Sequence, residues 1–213
     1  MNARESLLPW YLAGRWLRVF QSIPITEESC HPISSTDPSD LVEYCELRLD
    51  SLKRDFSYRW PDAGLQQKLL DCVARLQDQA TSEYAPTSVW THSDFAPGNL
   101  MWGNGILTPI DFAMAGAGNP LADAAYLIHR TEMARVYRPW IRLPVAAVAR
   151  AIFRGLGQPE AEQSATYELL TLKNLICRLH TYVRRSPRNR IQAIHDRWVR
   201  GVVRSRLTSL GRR

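Results

Sequence analysis

His92-Ser93-Asp94-Phe95-Ala96-Pro97-Gly98-Asn99, followed by Ile110-Asp111-Phe112, is the stretch on which the reading of this chain turns. Val89-Trp90-Thr91 ahead of it has strand composition, so the chain reaches His92 extended and Asp94 falls in the loop just beyond. Pro97-Gly98 joins a fixed φ to a free one, which can turn the loop so that the Asn99 amide oxygen faces inward. Leu100-Met101-Trp102 and Ile106-Leu107-Thr108 flank Gly103-Asn104-Gly105, a hairpin signal, and Asp111 follows the second strand of that hairpin.

Outward from this centre the pattern is helical. Leu8, Leu12, Trp16, Val19 and Phe20 recur at helical spacing over Leu7 to Phe20. Thr36-Asp37-Pro38-Ser39-Asp40 reads as a helix start, with a capping side chain, a first-turn proline and an acid near the positive end of the dipole; that helix is predicted to reach Phe56. A third helix is predicted from Asp62 to Gln79. Beyond the hairpin, the Gly-rich stretch Ala115-Gly116-Ala117-Gly118-Asn119-Pro120 reads as a bend that opens a helix over 121–135, with further helices over 140–155, 160–183 and 189–208. The expectation is one domain over 1–213: a helical part at 7–80, the catalytic and metal loops at 88–123, and an Arg-rich helical part at 121–213. The fold class is mainly α with a small β hairpin region.

With 213 residues and 45% of them hydrophobic, the chain can bury a substantial core. No apolar run reaches the roughly 20 residues of a membrane span, and the N-terminal stretch is a poor signal peptide because Arg15 and Arg18 interrupt it. Cys30, Cys45, Cys72 and Cys177 lack paired-ligand spacing and read as free thiols in a reducing compartment, which gives a cytoplasmic location. Charge is unevenly placed. Residues 1–128 carry 9 Lys+Arg against 16 Asp+Glu, and residues 129–213 carry 18 against 5. The basic field can attract phosphates, anionic substrates, acidic proteins or nucleic acid. Arginine clusters are also ordinary on solvated helix faces, so nucleic acid is not the expected partner.

A loop carboxylate such as Asp94 can orient a substrate hydroxyl and take its proton as a new P–O bond forms. Asn99 and Asp111 supply hard oxygen donors, which together with phosphate oxygens suit Mg²⁺, an ion that keeps several waters and needs few protein groups. Each residue alone also has a bland reading, Asp94 and Asn99 as turn caps and Asp111 as a strand end; their joint spacing favours the chemical one. His92 has no second histidine or thiol placed to share a metal and reads as a packing residue that holds the loop backbone. Asp123 reads either as an anchor for loop N–H groups or as a first-turn acid stabilised by the helix dipole.

These residues resemble the carboxy-terminal lobe of the aminoglycoside phosphotransferase/choline kinase family, relatives of the protein kinases. The family's His-x-Asp-x-x-x-x-Asn loop falls on His92, Asp94 and Asn99, its Ile-Asp-Phe strand end on Asp111, and its Gly-x-Pro-x-x-Asp element on Gly118, Pro120 and Asp123. The resemblance is tight over 88–130 and looser over the helices from about residue 7; Leu12-Ala13-Gly14-Arg15-Trp16-Leu17 is similar to the first helix after the family's hinge. It implies a kinase-like fold in which Asp94 is the catalytic base, Asn99 and Asp111 bind Mg²⁺ and thereby ATP, and His92, Gly118 and Asp123 support the loops. Ser93 and Phe95-Ala96 depart from the Gly, Leu and His often seen in the loop, with Phe95 keeping an apolar plug.

A larger departure lies upstream. The family covers ATP with an amino-terminal β-lobe whose lysine binds phosphates, whereas Lys53, Lys68 and Lys173 are the only lysines here and none sits in a β-rich stretch. The nucleotide-covering lobe is therefore expected to be missing. The implied function is ATP-dependent phosphoryl transfer to a hydroxyl of a small molecule, neutral or anionic given the Arg-rich C-terminal half, by an enzyme that is intact, degenerate or truncated. The alternative is a non-catalytic scaffold or ligand-binding module, or a kinase half completed by a homodimer or a partner chain. Trp10, Trp16 and Phe20 are candidates for the surface such a partner would cover, or for ordinary core. Glu132 and Glu168 are the acids that could locally offset the basic character of a substrate cleft.

Overall fold

The computed structural model describes residues 7–25, 37–56, 63–83, 88–137 and 144–210. Seven helices occur in it: α1 (Leu8–Gln21), α2 (Pro38–Phe56), α3 (Ala63–Glu83), α4 (Ala122–Tyr137), α5 (Val145–Leu156), α6 (Ala165–Arg184) and α7 (Arg190–Leu210). The four strands are short: β1 (Val89–Thr91), β2 (Leu100–Gly103), β3 (Ile106–Pro109) and β4 (Gly116–Gly118). The chain is mainly helical with small antiparallel β elements at its centre.

Local chemistry explains most of the boundaries. In α2 the Asp37 carboxylate accepts the Ser39 N–H at 2.8 Å, capping the helix ahead of Pro38 in its first turn. Thr36, Cys30 and Asp62 lie outside the described residues. α5 ends at Gly157, whose φ of 82° lets its N–H and that of Gln158 return to the carbonyls of Arg154 and Phe153. The predicted segment 160–183 divides in two. Pro159–Gln163 forms a 3₁₀ turn, and Ser164 then caps α6 by accepting the Tyr167 N–H at 3.2 Å. The Glu83 carboxylate at the end of α3 adds a second acceptor there, for the Ala165 N–H at 2.8 Å.

The β2–β3 hairpin has the expected turn. Asn104 and Gly105 have φ of 51° and 75°, and Gly103 pairs with Ile106 across them. The Gly-rich stretch differs from its reading as a bend. Gly116–Gly118 is a strand, pairing antiparallel with β1 in the register Val89↔Gly118, Trp90↔Ala117, Thr91↔Gly116. Glycine and alanine carry no β pattern, so the pairing could come only from the tertiary path.

One apolar core runs from Leu17 of α1 through Leu49, Leu69, Leu127 and Ile152, then Leu175, Ile176 and Leu179 of α6, to Leu207 of α7, all fully or almost fully buried. α6 is central, packing against α2, α3, α4 and α7, while α1 lies along α5. The α1–α5 crossing is close. A Cβ on Gly14 would fall on the Ile152 carbonyl oxygen, and one on Gly155 on the Tyr11 carbonyl oxygen. Cys45, Cys72 and Cys177 are free thiols, and burial pushes Cys45 up to about 12. No described helix is long and apolar enough to cross a membrane.

Candidate active site

The loop after β1 is fixed from below by one buried carboxylate. Asp123, in the first turn of α4, accepts the His92 N–H at 2.7 Å and the Ser93 N–H at 2.9 Å. Two donors on consecutive residues are possible because Ser93 takes a φ of 63°, a left-handed conformation unusual for serine. Burial pushes the Asp123 carboxyl up to about 6, against the lowering effect of those two bonds. Thr91 Oγ1 donates to the Gly116 carbonyl at 3.0 Å and lies 3.0 Å from Ser93 Oγ, so the loop is also tied to β4. Gly118 is buried opposite Val89, and the Pro120 carbonyl accepts from Gln21 of α1 at 2.7 Å.

His92 is fully buried. Its Nε2 lies 2.9 Å from the Ile110 carbonyl; a carbonyl only accepts, so Nε2 carries the hydrogen. The ring sits among Phe112 at 4.7 Å, Phe95 at 5.6 Å and Trp16 at 6.5 Å between centroids. Phe95, itself buried, stacks on Trp16 at 5.5 Å, and Trp16 stacks on Phe20 at 4.7 Å. Trp16 and Phe20 thus pack beneath the loop. The exposed apolar side chains of this region are instead Met101, Trp102, Ile106, Ile110, Phe112 and Met114.

Asp94 and Asn99 meet directly. The Asn99 Nδ2 donates to the Asp94 backbone carbonyl and to its carboxylate Oδ2, each at 2.9 Å. Both amide hydrogens are used, and the Asn99 amide oxygen takes part in neither bond. The Asp94 carboxylate also neighbours Tyr126 of α4, whose phenol is pushed up first by burial and further by that carboxylate, with Arg130 opposing. Asp111 is joined to the same loop through the residue before it. The Ile110 N–H donates to the Asn99 carbonyl at 2.9 Å while its carbonyl accepts from His92. Asp111 then adopts a φ of 65° and is exposed, with no hydrogen bond or ion pair to a described residue.

Among the described residues no group of three or more His, Cys, Asp and Glu forms a metal cage. The Asp111 carboxylate and the Asn99 amide oxygen are a two-donor set of hard oxygens. That chemistry fits Mg²⁺ shared with phosphates and water, and does not fit a dedicated zinc or calcium site.

Sequence reasoning did not find Tyr126, His129, Arg130, Lys173 and Arg178, which line a pocket of about 390 Å³ between α4 and α6 that also reaches Ser93. The signal was present as helical spacing: Tyr126 and Arg130 lie one turn apart, as do Lys173 and Cys177. Without knowing that α4 faces α6, those spacings had no meaning. The acids Glu132 and Glu168 do not line this pocket; Glu132 pairs with Arg206 of α7 at 2.9 Å.

The profile described as "Phosphotransferase enzyme family" matches residues 6–168, and the chain belongs to that family. No curated protein matches the sequence. Among solved structures, the apo form of a thermostable mutant of aminoglycoside phosphotransferase APH(4)-Ia is similar with a TM-score of 0.61 at 15% identity, over 98% of this chain and 66% of that one. A glucosamine kinase is similar with a TM-score of 0.57 at 16% identity, over 99% of this chain and 54% of that one. ADP-bound aminoglycoside phosphotransferase APH(2'')-Ib has a TM-score of 0.53 at 15% identity, over 95% of this chain and 64% of that one. The fold is therefore that of small-molecule kinases, and the chain spans less than two thirds of the length of each of these structures.

Proposed function

We propose that the protein is an ATP-dependent phosphotransferase acting on a hydroxyl group of a small molecule. The observation that carries this reading is the pair of hydrogen bonds that Asn99 Nδ2 donates to the Asp94 carbonyl and carboxylate, in a loop tied through Ile110 to Asp111. Asp94 is the proposed base: its carboxylate orients the substrate O–H and takes the proton while the hydroxyl oxygen bonds to the γ-phosphorus of ATP and the bond to ADP breaks. Asn99, with its N–H groups committed to Asp94, and Asp111, which has no partner among the described residues, are the residues that would hold Mg²⁺. When bound there, the ion supplies positive charge to the phosphate oxygens. His92 and Asp123 set the backbone on which these groups stand, and Gly118 keeps β4 beneath it.

The test is transfer of label from γ-labelled ATP and Mg²⁺ to a panel of hydroxyl compounds by the wild type, Asp94→Ala and Asp111→Ala. Label transferred by the wild type and lost in both variants is expected; equal turnover by all three sinks the mechanism.

A second reading has its own support. None of the described strands contains a lysine, and Met101, Ile106 and Met114 of the central region are each more than half exposed. These observations fit a kinase half that binds nucleotide well only when a partner chain or second copy covers this face. Calorimetry of MgATP with the chain alone separates the two. Tight, metal-dependent binding belongs to the first reading, and binding that appears only with a partner belongs to the second.

A further inference from the structure

The pocket between α4 and α6 is built from cations that no described residue neutralises. Arg130 projects from α4, Lys173 and Arg178 from α6, and no acid is among the residues that line the space. None of the three forms an ion pair with a described residue. Arg130 lies over the Tyr126 ring at 5.8 Å and Lys173 over the Tyr44 ring at 5.4 Å, contacts that leave their positive charge uncompensated. Two buried nitrogens here also have no partner among the described residues: Arg178 Nε and His129 Nδ1, the latter on a side chain only 4% exposed. A buried donor or acceptor left unpaired costs about 1–3 kcal/mol, which a ligand seated here would recover. His129 is held down to about 3 by burial and then by the charges of Arg178 and Arg130, which adds a neutral ring but no counter-charge.

The position of the pocket gives this cluster a role. Its lining includes Ser93, the neighbour of Asp94, and Tyr126, whose phenol feels the Asp94 carboxylate. A molecule seated among the cations could therefore present a hydroxyl to Asp94 at the pocket's edge. A volume of about 390 Å³ suits a small metabolite. A polycation placed there would meet three like charges at close range.

We propose that this pocket binds a compact oxyanion, a phosphate or a carboxylate, carried by the same small molecule whose hydroxyl Asp94 activates, so that the substrate is an anionic alcohol and not a polycationic one. The proposal rests on the phosphotransferase reading for the identity of the reacting group, but the anion site itself can be measured without turnover. Arg130 and Arg178 offer fork-shaped donors for two oxygens of the anion, and Lys173 contributes a third charge.

The experiment is calorimetric titration of the full chain, without nucleotide, with glycerol 3-phosphate, glycerate, glycerol and the polycation tobramycin. Glycerol 3-phosphate or glycerate is expected to bind, weakening as salt rises, while glycerol and tobramycin do not; which of the two anions binds more tightly distinguishes phosphate from carboxylate. Arg130→Gln and Arg178→Gln should each weaken the anion about tenfold or more, and Lys173→Gln, which removes a point charge and not a two-pronged donor, should weaken it less. Asp94→Asn should bind the anion as well as the wild type or better, because a nearby negative charge is gone. Circular dichroism of each variant guards against misfolding, and Lys173→Gln keeps the test alive if an arginine variant does not fold. Absence of anion binding, anion binding indifferent to all three substitutions, or preferred binding of tobramycin overturns the proposal. Anion binding that depends on these residues, with no label transferred from ATP under any condition, would leave the subsite standing and defeat the kinase reading instead.

Discussion

The carboxylate of Asp123 accepts two consecutive backbone N–H groups while almost fully buried, and these two facts oppose each other in its titration. Burial dominates and raises it to about 6. The native state therefore holds this proton more tightly than the unfolded chain between about pH 4 and pH 6. Asp123 contributes on the order of 2–3 kcal/mol that is fully present below about pH 4 and is lost as pH rises through about 6. Asp123→Asn removes that titration and leaves one of the two N–H groups without an anionic acceptor. Thermal unfolding of both proteins across this range should show a wild-type advantage that shrinks as pH rises; an advantage that grows would contradict the assignment. His129 acts in the opposite sense. Its value of about 3 lies below that of an ordinary histidine, so its contribution is present above about pH 6.5 and lost as pH falls. The difference between wild type and variant, and not either profile alone, isolates Asp123. At this scale His92, Asp94, Asn99, Asp111 and Asp123, singled out in the sequence, come together around one loop. The left-handed backbone at Ser93 and Asp111 was not legible in the sequence, because neither residue type demands it and only the tertiary anchors impose it.

The crossing of α1 and α5 shows how an element is placed by what it lacks. Gly14 and Gly155 let the two backbones touch, and α1 in turn brings Trp16 under Phe95 and Gln21 to the Pro120 carbonyl. Gly14→Ala would gain up to about 1 kcal/mol in helix propensity. It would also drive a methyl into the Ile152 carbonyl and to 2.8 Å from the Leu156 nitrogen, and neither backbone group can yield as a flexible side chain could. Overpacking of this kind costs about 1–3 kcal/mol or more, so it wins. A net loss of about 1–2 kcal/mol should lower Tm by several degrees for a chain of this size. An unchanged or raised Tm for Gly14→Ala would mean that the helices do not approach this closely. The seven helices were foreseeable, α1 from apolar positions at helical spacing and α2 from the capping chemistry of its start. The β1–β4 pair and the α4–α6 pocket were not, since Gly-Ala-Gly carries no strand pattern and a polar helix face does not reveal what it faces.

For the whole molecule, the basic C-terminal half divides into two populations. On α7, Arg206 pairs with Glu132 at 2.9 Å and Arg200 donates to the Tyr182 carbonyl at 3.1 Å. Around the α4–α6 pocket Arg130, Lys173 and Arg178 pair with no described acid. The net basicity visible in the sequence thus has a specific local meaning that composition alone could not supply. The same pocket reaches Ser93, the neighbour of Asp94, which links charge distribution to the proposed reaction. The most direct measurement is the rate of phosphoryl transfer from MgATP to an anionic alcohol by wild type and Asp94→Asn, with MgATP affinity determined for each. A base role predicts a fall of about 10²–10⁴-fold in kcat with nucleotide affinity little changed. Equal rates in the two proteins, or loss of nucleotide binding in proportion to the loss of rate, would contradict the assignment of Asp94 as the base.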